Sequence, residues 1–165
     1  MIEETEVLLQ KYLQLPGCLE SAIAGLRDSD LDVCKDSGWS IRQIVHHVVE
    51  GENLWQLNLR AVVGTDGILF PFAWYLAIPQ DEWAKRWAYD KRPLEPSLAL
   101  YRASTWHLVE FLRKIPESWG HFGRVTWPGE QEETCGTVRE IVEMNLRHLD
   151  QHVEEIQAIR VLHQI

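Results

Sequence analysis

The chain has 165 residues, 45% of them hydrophobic and 25% charged, with a formal net charge of −9. That length and balance fit one globular domain over residues 1–165, with a core large enough to need no staples. An acidic chain without runs of Lys or Arg lacks the basic footprint of a nucleic-acid binder, and no apolar stretch approaches the roughly 20 residues that cross a bilayer.

The start, MIEETEVLLQ, is acidic where a signal peptide is basic. Cys18, Cys34 and Cys135 stand far apart with no CxxC pair, an odd count that argues against a disulfide framework and suits the cytoplasm. Residues 3 to 27 carry apolar positions at helical spacing (Val7, Leu8, Leu15, Leu19, Ile23, Leu26), and Pro16-Gly17 should kink or split this first helix. A second helix opens at Ser40-Ile-Arg-Gln43, a capping box in which the serine hydroxyl and the glutamine side chain satisfy orphan N–H groups reciprocally. Trp39 and Ile44 are placed for a hydrophobic staple, and the helix should run to Val63, before Gly64 and Asp66-Gly67.

Residues 65 to 93 are punctuated by Pro71, Pro79 and Pro93, with a short helix expected over Asp81–Trp87. A third long helix is expected from Pro96 to Lys114, closed before Pro116. Residues 116 to 136 read as loop or a small hairpin, with a turn at Trp127-Pro128-Gly129. The fourth helix starts at a second capping box, Thr137-Val-Arg-Glu140, and runs almost to the C-terminus. Four long amphipathic helices without a convincing strand pattern predict an all-α four-helix bundle, with connections long enough for crossovers.

Seven histidines are present. His148 and His152 form an HxxxH pair, and i, i+4 spacing puts both imidazoles on one helix face, one turn apart. The apolar stripe of that helix is Val138, Val142, Leu149, Val153 and Ile156. The pair flanks it, roughly 60° and 100° from Leu149. On the second helix, His47 lies about 60° from the stripe of Ile44, Val48, Trp55 and Val62, whereas His46 lies about 160° away, toward solvent. His47, His148 and His152 therefore form a candidate metal set, and His46 is expected at the surface. Three imidazoles leave a coordination position for water or substrate, the pattern of catalytic sites. Neutral imidazoles suit Zn, Ni, Cu, Co or Fe.

His107, His121 and His163 have no such partners. Glu50 and Glu155, three residues after His47 and His152, are candidates to orient the ligands or accept a proton. Asn145, one turn before His148, is a candidate polar group inside the pocket. Arg42 and Arg147 lie near the histidines along the chain. Several of the eight tryptophans, Trp39, Trp119 and Trp127 among them, fall near helix starts or in irregular regions, as core or rim packing or as pocket wall.

The block Gly38-Trp39-Ser40-Ile41-Arg42-Gln43-Ile44-Val45-His46-His47 resembles the opening of the second helix in the DinB/YfiT-like family, and His148-Leu-Asp-Gln-His152 resembles its closing HxxxH. Asp81-Glu-Trp-Ala with Leu94-Glu-Pro-Ser-Leu-Ala-Leu100 resembles the YfiT-like branch, which includes bacillithiol S-transferases. The resemblance spans residues 36 to 158. It implies a four-helix bundle with crossed-over helix order, one metal held by His47, His148 and His152 (commonly nickel or zinc), and a homodimer. Glu143-Met-Asn-Leu-Arg147 departs from the small and aromatic residues of the transferase branch, so the resemblance speaks to the metal more than to the substrate. The leading expectation is a metal-dependent transferase joining a low-molecular-weight thiol to a small electrophile. The alternatives are a metal-dependent hydrolase, a non-catalytic metal-binding stress protein and a scaffold without metal.

Overall fold

A computed structural model describes residues 2–127, 129–130 and 132–165. Seven α-helices appear among them: α1 (Ile2–Leu13), α2 (Leu15–Ile23), α3 (Ile41–Thr65), α4 (Ala73–Leu76), α5 (Gln80–Arg86), α6 (Leu94–Arg113) and α7 (Val138–His163). The bundle proper is α1–α2, α3, α6 and α7, with α3 packed along both α6 and α7. No described helix is long and apolar enough to cross a membrane.

Both capping boxes form. Ser40 accepts from the Gln43 amide while Gln43 answers the Ser40 N–H, and Thr137 and Glu140 do the same at the start of α7. The first helix splits as expected, but the break falls at Gln14, ahead of the proline. Pro16 sits in the first turn of α2, where its missing N–H has no partner to lose. Likewise α6 begins at Leu94, two residues before Pro96, because its first turn tolerates proline.

Beside the helices there is a little strand structure, which the sequence suggested only as a loop or small hairpin over residues 116 to 136. A small sheet of order β1-β2-β3 lies at one end, comprising β1 (Ile68–Leu69), β2 (Phe122–Val125) and β3 (Thr134–Thr137). The β2–β3 hairpin falls where a hairpin was expected. β1 pairs parallel to β2 and was not legible, since two residues carry no periodicity. Pro128 of the expected turn lies outside the described residues; around it, the Glu130 N–H donates to the Trp127 carbonyl at 3.0 Å and Gly129 has φ +84°.

Gly123 in β2 is required by packing. A Cβ there would lie 2.3 Å from Phe70 Cζ and 2.8 Å from Val62 Cγ2. Gly123→Ala is expected to lower stability by about 2 kcal/mol or more through this overpacking, measured by denaturant unfolding. An unchanged midpoint would show that Phe70 can move aside.

Candidate metal centre

His47 comes from the second turn of α3, and His148 and His152 from consecutive turns of α7. Where the two helices pack, His148 Nε2 lies 3.3 Å from His47 Nε2 and 3.2 Å from His152 Nε2. One ring nitrogen of each residue falls within 4.8 Å of the others. Two nitrogens on a tetrahedral zinc, each about 2.05 Å from it, stand about 3.3 Å apart. The spacing therefore fits one small divalent cation.

The electrostatics also suit a neutral ligand set. Burial, and then the neighbouring imidazoles of His152 and His148, push His47 down to about 3. Burial and then His152 push His148 down to about 4. Both rings are thus uncharged at neutral pH, the form that donates a lone pair to a metal. His152 Nδ1 is 3.0 Å from Glu155 Oε2. A proton on that nitrogen turns Nε2, as a lone pair, toward the other two rings. His47 Nδ1 is buried without a hydrogen-bond partner among the described residues.

The other side chains singled out in the sequence go to different places. Glu50 pairs with Arg92 at 2.8 Å. Asn145 is buried, and its amide reaches the Tyr12 hydroxyl at 3.5 Å. Three residues before His148 on α7, it turns inward to the core and does not line the cleft beside the imidazoles. Arg42 is buried and pairs with Asp32 at 2.7 Å and Asp28 at 2.8 Å, holding the 3₁₀ turn at residues 28–32 onto α3.

His46 needs the plainest correction, because it is fully buried. Its Nδ1 lies 3.0 Å from Ser97 Oγ, its Nε2 lies 3.1 Å from the Arg92 carbonyl, and its ring stacks on Tyr89. The projection assumed that α3 is covered on one side only. In fact the segment leading into α6 covers the opposite face as well. His46→Ala is expected to cost about 2–4 kcal/mol in stability by leaving a void and two unpaired polar groups, with metal content unchanged. Metal analysis beside denaturant unfolding checks both parts.

His107 contacts Arg60, His121 the Val63 carbonyl and His163 the Cys34 carbonyl, all away from the three converging rings.

A cleft of about 150 Å³ opens beside His47 and His148, walled by Trp55, Phe72, Tyr75, Leu76 and Trp127, with the Gln80 amide also in its lining. Tyr75 donates to Gln80 Oε1 at 2.7 Å, and Trp83 Nε1 donates to the Tyr75 carbonyl at 2.7 Å. Trp39 closes the back. Its ring stands edge-on to His47 with centroids 4.7 Å apart, and its Nε1 donates to Asp81 at 2.6 Å. Two of the sequence blocks that carried the resemblance thus meet behind one imidazole. The sequence missed Phe72 and Tyr75, which lie in irregular or very short elements, whereas Trp127 is one of the tryptophans it offered as packing or pocket wall.

The sequence profile of the DinB superfamily matches residues 13–156. A protein of Geobacillus thermodenitrificans, named as a candidate metal-dependent hydrolase, is 25% identical over 160 residues, covering 96% of this chain and 85% of its own. One of Bacillus licheniformis, named likewise, is 26% identical over 167 residues, with 96% and 89% covered. A third, from Geobacillus kaustophilus, is 35% identical over 88 residues, covering 52% of this chain and 46% of its own. Among solved structures, YfiT from Bacillus subtilis, described as a probable metal-dependent hydrolase with an unusual four-helix bundle topology, superposes with a TM-score of 0.82. It shares 19% identity, with 98% of this chain and 89% of that chain covered.

Proposed function

This chain belongs to the DinB superfamily, and we propose that it is a metal-dependent enzyme whose His47, His148 and His152 hold one divalent cation, nickel or zinc, at the mouth of the aromatic cleft. The observation that carries this reading is the convergence of three Nε2 atoms, from two helices, at the spacing of a tetrahedral ligand set. A cation bound by three imidazoles keeps an open position and supplies Lewis acidity that ionises a coordinated thiol or water near neutral pH.

The protein's own groups do the rest. Glu155 orients His152, and Trp39 buttresses His47. Trp55, Phe72, Tyr75 and Trp127 hold an apolar reactant and exclude bulk water. No carboxylate lines this cleft among the described residues, and Glu155 faces the far nitrogen of His152, its Oε2 3.0 Å from Nδ1. That favours a nucleophile ionised by the cation alone. A low-molecular-weight thiol, transferred to a small electrophile, meets that condition most easily, because a thiol starts nearer neutrality than water.

Hydrolysis by metal-bound water is the second reading, supported by the names of the relatives. The deciding experiment measures metal content and then turnover, with a thiol plus a chloroaromatic and, separately, with esters and amides. Cys18, Cys34 and Cys135 are replaced beforehand to silence the protein's own thiols. Thiol-dependent turnover that needs the metal supports transfer. Metal-dependent ester or amide cleavage without thiol supports hydrolysis, and a chain that takes up neither nickel nor zinc overturns both.

A further inference from the structure

The cleft has a neighbour. A second cavity, of about 310 Å³, opens on the far side of Trp55 and Trp127, and these two indoles wall both compartments. Its buried lining is Phe70, Val125 and Ile141, set close to the backbone because Gly123 carries no side chain. Its exposed lining includes Glu140, Cys135 and Arg147.

The two charges differ in what they already hold. Glu140 Oε2 accepts from the Thr137 N–H at 2.8 Å and from its hydroxyl at 2.9 Å, as part of the helix cap. On the same helix, Arg139 donates to Thr5 Oγ1 at 3.2 Å and Arg160 donates to the Ala22 carbonyl at 2.6 Å. Arg147 has no hydrogen bond or ion pair with any described residue. A planar guanidinium left unpaired beside an apolar cavity matches the two oxygens of a carboxylate, and it does so in a chain of net charge −9.

We propose that this cavity is the second compartment of the substrate groove, and that it takes an aromatic or alkyl segment ending in a carboxylate, which Arg147 binds. His148 and Arg147 are adjacent on α7, about 100° apart around the helix. Consecutive residues thus serve the two compartments, His148 the reacting end and Arg147 the anionic tail. The assignment rests on the metal reading only for which end reacts; the tail is held by the protein alone.

The test compares γ-phenylbutyrate with its uncharged amide by calorimetric titration of the zinc-loaded full chain. The acid is expected to bind about tenfold more tightly, the size of one charge-assisted hydrogen-bonded contact. Arg147→Gln should bring the ratio to about one without changing the metal content, and Arg147→Lys should restore part of it. His148→Ala should keep the preference for the acid even if it takes up no metal, which separates this proposal from the metal reading. In parallel, saturating acid should slow alkylation of Cys135 by N-ethylmaleimide and leave the exposed Cys18 on α2 unaffected. An equal acid-to-amide ratio in the wild type and Arg147→Gln, a preference lost in His148→Ala but kept in Arg147→Gln, or unprotected Cys135 would each overturn the assignment.

Discussion

Replacing His148 by alanine is expected to abolish stoichiometric metal binding while leaving the bundle folded. Its Nε2 stands between those of His47 and His152, at 3.3 and 3.2 Å, so its loss leaves two imidazoles with no nitrogen joining them. Losing a group that merely orients a ligand commonly costs 10–100-fold in metal affinity. Losing the central ligand should therefore cost more than about 100-fold, with similar losses in His47→Ala and His152→Ala. Glu155→Gln should fall in between, because it weakens only the orientation of His152. His148 is half-buried, so helicity by circular dichroism should be unchanged. Thermal unfolding gives a second readout: at a hundredfold excess over its dissociation constant, a metal stabilises the folded state by about 2.7 kcal/mol. The wild type should gain that stability with zinc or nickel, and the three alanine variants should gain almost none. Variants that retain one ion per chain would place the metal elsewhere.

What the sequence made legible follows from where periodicity carries information. The two capping boxes marked the starts of α3 and α7, and the helical projection placed His47 and the His148–His152 pair beside the apolar stripes of their own helices. The same projection failed for His46. It reads burial from a single apolar stripe, whereas α3 is enclosed on two sides, by the core and by the segment holding Arg92 and Ser97. The burial of Arg42 was likewise not legible, since its partners Asp28 and Asp32 lie in a 3₁₀ turn that no periodic pattern announces. The cleft was illegible because Trp55, Phe72, Tyr75 and Trp127 come from three separate stretches and meet only through tertiary packing. Asn145, a candidate for a polar group inside the pocket, lies buried in the core beside Tyr12. A projection gives direction around a helix and says nothing of which neighbour waits there.

That core neighbourhood leads to the other large expected effect: Glu52→Gln should stabilise the protein at pH 8 and have little effect near pH 4. Glu52 is buried and accepts a hydrogen bond from the Tyr12 hydroxyl. Gln56 on its own helix lies 3.4 Å away, and Tyr101 of α6 and Asn145 of α7 complete the surroundings. None of these groups is a cation. Burial, opposed only in part by Gln56, therefore pushes the Glu52 carboxyl from 4.5 up to about 8. Between those values the folded chain holds a proton that the unfolded chain has released, so stability falls as pH rises. Below the unfolded value the penalty is absent, and above the folded value it is fully developed. At about 1.4 kcal/mol per pH unit, the whole effect approaches about 5 kcal/mol, an upper figure because a buried charge draws in water and relaxes its surroundings. Glutamine keeps the size and the acceptor oxygen and cannot ionise. Denaturant unfolding at pH 4, 6 and 8 should thus show the two curves meeting at low pH and diverging by several kcal/mol at high pH; parallel curves would mean that Glu52 titrates alike in the folded and unfolded chain. The neutral carboxyl has a structural consequence too. Glu52 lies five residues beyond His47 on α3, and Asn145 three residues before His148 on α7. Tyr12, bonded to both, ties together the two helices whose register brings the imidazoles into contact.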